Sequence, residues 1–394
     1  MPRRLVFLSL LALFACAAPS GRSGAAETAG KGKGVRREAL PPLNREWLRR
    51  SAELVTGMDR RQLAAQVILT AVEGRDALPR RTRLALGEIP VGGIMLFGYN
   101  IGAGGEKTRR FIAELGDAVQ SASGVRPFIA ADQEGGTVQR FRGNAALPPP
   151  LSYWERVRGG SGRSAVLEAI RGDAAAAGRE LRACGVSLNL APVAEILNDE
   201  NTRFLRDRSY GPDAVFTREA AGAFVRGMEE TGTACTLKHF PGNSGADPHR
   251  TKAYLALSGG ELDRFMLPFA AIIKEEDPAA VMISHVIVPA WDDRPASLSP
   301  AALAKLRDLG FRGIAVADDF AMAAAGAPVE VCVVQALNAG VDMVMSWPGD
   351  LRKIHGALVA ALEEGDLKEA RLREAAQKIL YQKLRYGLIQ PGRL

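Results

Sequence analysis

The sequence predicts an α/β protein, a single domain built as a (β/α)8 TIM-type barrel, and three observations predict it. Short apolar runs recur along the chain, at residues 66–70, 93–97, 128–131, 186–190, 234–237, 280–284, 314–317 and 342–345. Most are continuously apolar, as expected of parallel strands covered on both faces. Amphipathic helical stretches lie between them, at 107–121, 164–183, 218–230 and 299–308 among others. The last of these opens with Ser299 as N-cap and Pro300 at the first helical position. Polar side chains gather where the runs end: Asn100, Asp132, Glu134, Arg208, Lys238, His239, His285, Asp318 and Asp319. Barrels of this type carry their sites at the strand ends, and random surface charge would not prefer one end.

Composition narrows the class. With 394 residues, 47% hydrophobic, 24% charged, 42 Gly and 22 Pro, the chain is neither collagenous, disordered nor a disulfide scaffold. Its net charge of +7 falls to +5 if a leader bearing Arg3 and Arg4 is removed. No Lys/Arg-rich run interleaved with aromatics appears, so the excess argues for no nucleic-acid partner.

From the N-terminus, Arg3 and Arg4 precede an apolar stretch at 5–15, too short to span a bilayer, which needs about 20 residues. It reads as a secretory signal. Leu13-Phe14-Ala15-Cys16 resembles a bacterial lipobox, which implies a signal peptide over 1–16 and a lipid on Cys16 as the only membrane attachment; cleavage near Ala17 or Ala18 is the alternative. Residues 17–42 are small, polar and Gly-rich and read as a flexible tether, leaving 43–394 for the barrel. The predicted location is extracytoplasmic: a periplasmic or outer-membrane lipoprotein, or a secreted protein. Cys184, Cys235 and Cys332 form no C-x-x-C pair and read as free thiols.

Three segments carry candidate chemistry. Asp132-Gln133-Glu134-Gly135-Gly136 through Arg140 joins two acids to a Gly-Gly turn, where a ligand can approach the backbone closely. Lys238 and His239 are fixed donors for hydroxyls, and Asp247 stands two residues before His249 in a Gly- and Pro-rich loop. A carboxylate beside an imidazole holds its tautomer and raises its basicity, which suits a general acid/base near neutral pH. Asp318 and Asp319 follow an apolar run; a carboxylate delivered there serves as nucleophile, base or metal ligand, or as a helix N-cap. Adjacent strand-end side chains point apart, so one of the two is expected to face a common centre. No His cluster has metal-ligand spacing, and neither a metal nor a cofactor is expected.

Together these segments resemble glycoside hydrolase family 3, in its single-domain β-N-acetylhexosaminidase branch. The likeness runs in order over 58–388. It comprises Gly92-Gly93-Ile94-Met95-Leu96-Phe97, the Asp132–Arg140 segment, Ala191-Pro192-Val193, Asp207-Arg208-Ser209 and Lys238-His239-Phe240-Pro241-Gly242. Met282 to His285 with Pro295-Ala296-Ser297-Leu298-Ser299, then Gly310-Phe311 to Asp318-Asp319, complete it.

The resemblance implies retaining hydrolysis of terminal β-linked N-acetylglucosamine, from peptidoglycan-derived fragments (muropeptides) or another glycan, through a glycosyl-enzyme intermediate. Asp318 would be the nucleophile and His249, oriented by Asp247, the acid/base. Asp132, Arg140, Arg208, Lys238 and His239 would hold the sugar. A tethered sugar-binding barrel of weak activity and a β-N-acetylglucosaminide phosphorylase are the alternatives. Several positions depart from the family pattern. The Lys238–His249 segment is shorter, Asn243 replaces a histidine, Pro248 replaces Ser or Thr, and Glu195 stands where Asp is usual. Ala317 replaces Ser or Thr before Asp318, Phe320 replaces Leu, and Gly98-Tyr99 precede Asn100 where an Arg is common.

Overall fold

A computed structural model describes residues 43–102, 105–246, 251–321 and 327–390. The proposed leader and tether, with Cys16, therefore lie outside the described residues, as do Asp247 and His249.

The strands are β1 (Ile68–Ala71), β2 (Gly93–Leu96), β3 (Phe128–Ala131), β4 (Gln133–Gly135), β5 (Val138–Gln139), β6 (Leu188–Asn189), β7 (Ala234–Phe240), β8 (Ala280–Ile283), β9 (Ile314–Ala317) and β10 (Val344–Ser346). Eight of them form one sheet in the order β10-β1-β2-β3-β6-β7-β8-β9. Every pairing in it is parallel. A parallel bridge between Val316 and Met343 joins the two ends, and Ala317 N–H donates to the Met343 carbonyl at 2.9 Å. The sheet is thus a (β/α)8 barrel. Each of the eight predicted runs contains or overlaps one barrel strand.

The barrel strands are buried along their whole length, because helices cover the outside and side chains fill the inside. Helices Arg163–Ala183 and Ala214–Glu229 pack tightly against each other. A Cβ at Gly227 would stand 2.2 Å from the Arg171 carbonyl, so only glycine permits that crossing. Ser299 caps helix Pro300–Asp308 as predicted, accepting the Ala302 N–H at 3.1 Å.

Two of the boundaries that differ from the sequence expectation move charged or polar residues. The fifth run continues to Phe240, so Lys238 and His239 lie inside β7 and not after it. The eighth starts at Val344, because Asp342 turns into a charge cluster at the barrel floor. There the Asp342 carboxylate meets Arg307 at 2.5 Å, Arg371 at 2.7 Å and Lys378 at 3.1 Å. Burial alone would raise its pKa, but these three charges and the Ala315 amide hold it below the usual carboxylate range.

The floor is closed by the C-terminal helix Glu369–Arg385, which packs on Arg45–Thr56, a helix not among the sequence expectations. Lys383 on that helix is fully buried and donates to Gln66 Oε1 at 2.6 Å, with its ammonium 6.0 Å from the Phe128 ring centroid. With no carboxylate bonded to it among the described residues, burial pushes the Lys383 amine down to about 7.

The unfolded chain therefore binds a proton that the folded chain lacks between about pH 7 and pH 10. The penalty is full below pH 7 and fades as pH rises through that window. Lys383→Met is expected to raise Tm most at and below pH 7, with the gain shrinking towards pH 10. Thermal unfolding of both proteins across that range checks it, and a pH-independent gain would refute the assignment.

Candidate active site

Asp132 and Glu134 are two residues apart in nearly extended chain, so they share a face. What holds them there is Gln133, whose amide is fully buried and stitches an antiparallel hairpin, β4–β5. Its Oε1 accepts the Arg140 and Phe141 N–H groups, both at 3.0 Å. Its Nε2 donates to the Phe141 and Ala145 carbonyls at 2.9 and 2.7 Å. Gly135 turns the hairpin with φ 107°, and a Cβ there would stand 2.3 Å from the Pro148 carbonyl. Arg140 is thereby returned to the strand end that bears Asp132.

The two acids enclose Lys238, whose Nζ lies 2.7 Å from Asp132 Oδ1 and 2.7 Å from Glu134 Oε1. Arg140 Nη2 reaches Asp132 Oδ2 at 2.7 Å, and Arg208 grips Glu134 with Nε at 2.8 Å and Nη2 at 2.9 Å. Burial would raise Asp132, yet the Lys238 and Arg140 charges bring it down to about 2. Glu134 is also lowered: burial opposes, while Lys238 and Arg208 prevail. Burial disfavours the charged forms of Lys238 and Arg208, but the facing carboxylates raise both. All members thus remain ionised, and donor capacity is left over. Lys238 has three protons and two carboxylate partners. The Arg140 Nε–H is buried without a partner in the described structure.

His239 follows Lys238; its Nδ1 lies 2.7 Å from Glu195 Oε1 and its Nε2 3.5 Å from Arg208 Nη2. Across the mouth stand Asp318 and Asp319. Both line the cleft, at the end of β9, which stops at Ala317.

Their bonding separates them. Asp319 Oδ2 accepts the Trp347 indole N–H at 2.8 Å and Oδ1 accepts the Ala321 N–H at 2.8 Å. Asp318 Oδ1 accepts the Asp319 N–H at 2.9 Å, and its Oδ2 has no hydrogen-bond partner among the described residues. Asp319 is the structural member of the pair and Asp318 the available one.

These groups surround a cleft of about 400 Å³, together with Met95, Met282 and Met345 from the barrel interior and Phe97, Phe204 and Trp347 from its rim. Phe97 stacks on Trp347 at 4.9 Å and on Tyr99 at 5.7 Å, forming an apolar wall beside the charged cluster. The cleft thus offers one apolar wall and one polar wall, the lining expected of a small-molecule site.

Asp132, Arg140, Arg208, Lys238, His239 and Asp318 are therefore brought together as the sequence reading expects. Two strand-end residues serve the scaffold instead. His285 bonds Ser297 Oγ at 2.7 Å and the Asp319 carbonyl at 3.0 Å, under the loop and not in the cleft. Burial lowers its pKa, keeping the ring neutral. Asn100 caps the Phe97 N–H and the Val72 and Gly74 carbonyls. Glu134, Glu195 and Phe97 stand in the sequence motifs without a binding role, and Trp347 stands in none; all four belong to the site. Trp347 follows the eighth strand, and the strand-end rule applied there would have found it.

Comparison with known proteins agrees with this geometry. The profile described as "Glycosyl hydrolase family 3 N terminal domain" matches residues 62–381. A beta-hexosaminidase of Xanthomonas oryzae pv. oryzae is 33% identical over 294 residues, covering 71% of this chain and 83% of that protein. One from Vibrio cholerae is 35% identical over 262 residues, covering 65% of this chain and 74% of its own. Among solved structures, a glycoside hydrolase family 3 β-N-acetylglucosaminidase from Paenibacillus sp. str. FPU-7 superposes with a TM-score of 0.77 at 30% identity. The superposition covers 84% of this chain and 63% of that longer one. A β-N-acetylhexosaminidase from Beutenbergia cavernae gives 0.72 at 26% identity, covering 84% and 99%.

Proposed function

The chain belongs to glycoside hydrolase family 3, and on that premise we propose that it is a retaining β-N-acetylhexosaminidase removing terminal β-linked N-acetylglucosamine. The observation that carries the proposal is the Oδ2 of Asp318, which has no partner among the described residues and lines a sugar-sized cleft together with the Asp132–Lys238–Glu134–Arg208 cluster.

Asp318 attacks the anomeric carbon while the glycosidic C–O bond breaks and His249 gives its proton to the leaving oxygen. His249 then takes a proton from water, whose oxygen attacks the same carbon and releases Asp318. Asp247 holds the imidazole for both transfers. Two inversions give net retention. Asp132 accepts hydroxyl protons, and Lys238, Arg208, Arg140 and His239 complete the hold on the sugar. No metal or cofactor enters the scheme.

The leader and tether support an extracytoplasmic location, with Cys16 as lipid anchor, where peptidoglycan fragments supply this sugar. The mild positive charge suits that anionic setting.

Turnover of an aryl β-N-acetylglucosaminide, with and without phosphate, tests the proposal. Turnover in phosphate-free buffer is expected. Strict dependence on phosphate would make the protein a phosphorylase, and binding without turnover would make it a tethered sugar receptor. His249→Ala is expected to lose less rate with an activated aryl leaving group, which needs little protonation, than with a sugar leaving group. Equal losses would contradict the acid role.

A further inference from the structure

Glu195 has no place in the scheme above, yet its carboxylate accepts four hydrogen bonds while fully buried. Its Oε1 takes His239 Nδ1 at 2.7 Å, the His239 N–H at 3.2 Å and Asn243 Nδ2 at 3.0 Å. Its Oε2 takes the Asn243 N–H at 2.5 Å. All four partners are N–H donors, and they come from the two sides of the Phe240-Pro241-Gly242 turn that leads into the loop bearing Asp247 and His249. The segment after Glu195 also underlies that loop, since a Cβ at Gly245 would stand 2.7 Å from the Glu200 carbonyl. Glu195 and Asn243 are both departures from the family pattern, and here they meet.

We infer that Glu195 is a positioning residue that locks His239 as a hydrogen-bond acceptor toward the sugar and fastens the start of the acid/base loop to the same carboxylate. The chemistry is one of proton placement. A carboxylate is acceptor-only, so His239 must present a proton at Nδ1. The other nitrogen, Nε2, lies 3.5 Å from the Arg208 guanidinium, itself a donor, and therefore carries the lone pair. His239 lines the cleft beside Lys238 and Arg208, which only donate. With Asp132 it lets the cluster take protons from sugar hydroxyls as well as give them. A glutamine in place of Glu195 would turn an NH2 group toward N–H donors on one side or the other, with no rotamer that satisfies all four. The inference rests on the reading of the cleft as a sugar site.

Long-range 1H–15N correlation NMR of 15N-histidine-labelled protein reads the tautomer directly, and the chain holds only four histidines. His239→Gln assigns the signal. In the wild type at neutral pH, His239 is expected to carry its proton on Nδ1. In Glu195→Gln the tautomer is expected to shift toward Nε2–H, with KM or the dissociation constant for an N-acetylglucosaminide rising about tenfold. Glu195→Asp is expected to restore the tautomer in part. A wild-type His239 protonated on Nε2 overturns the inference, as does a Glu195→Gln protein with wild-type tautomer and affinity. If Glu195→Gln does not fold, the wild-type spectrum decides. The spectrum needs no turnover, so a wild type that binds but does not hydrolyse refutes the hydrolase proposal without deciding this one.

Discussion

Asp318→Ala is expected to lose hydrolysis by about 10⁴-fold or more, the scale on which removal of a nucleophile registers. The fold should survive, because Asp318 is only partly buried and its side chain's one hydrogen bond among the described residues is from its neighbour's N–H. Asp319→Ala is the informative companion. It removes the Trp347 and Ala321 bonds, so it should loosen the loop and cost about 10- to 100-fold without abolishing turnover. Azide, a small external nucleophile, should restore turnover to the Asp318 variant alone and yield a glycosyl azide of inverted configuration. Steady-state rates with and without azide check this. Equal losses in the two variants would mean that the pair has been assigned wrongly.

Lys238→Met is expected to damage both stability and binding. In the wild type the Lys238 ammonium neutralises two buried carboxylates, each 2.7 Å from it. Its removal takes out the charge between Asp132 and Glu134 and leaves each held by one arginine alone, and breaking such a buried pair costs about 3–5 kcal/mol. The pH dependence has a definite sign. The Asp132 carboxyl sits at about 2 in the folded protein, below its ordinary value. Its contribution to stability is thus complete above about pH 4 and is lost as pH falls from there to about 2. Without Lys238 the two carboxylates repel, and protonating one of them relieves the strain. The stability gap between variant and wild type should therefore narrow as pH falls from 7 towards 4. Thermal unfolding across that range measures it, and a gap that stays constant would show that the ion pairing is not what Lys238 contributes.

The barrel was legible because its strands are apolar runs bounded by polar residues. The segments 128–131 and 314–317 match β3 and β9 end to end for that reason. The reading stopped short at β7 because Lys238 and His239 look like strand-ending polar residues. In the folded chain both are buried by their partners, which a hydropathy pattern does not see. Helix Arg45–Thr56 was legible in principle, because Trp47, Ser51, Leu54 and Val55 recur at helical spacing on the face that packs on the core. The β4–β5 hairpin arises from the side-chain bonds of Gln133, which leave no periodic trace.

Within the site, Asp132, Arg140, Arg208, Lys238, His239 and Asp318 could be named because they follow apolar runs inside recognisable motifs. Glu195 stands there only as a departure from the family pattern, because its role emerges only once its four donors are seen. Strand alternation does not say which of Asp318 and Asp319 serves the site. The Trp347 indole bond separates them.

The most direct test of Asp318 as nucleophile is to trap the glycosyl-enzyme intermediate with a 5-fluoro N-acetylglucosaminyl fluoride. The ring fluorine slows both steps while fluoride leaves readily, so the covalent species accumulates. Peptide mapping by mass spectrometry is expected to place a single sugar ester on Asp318. An ester on Asp319 or another residue, or turnover of ordinary substrate with no trapped species, would contradict the mechanism.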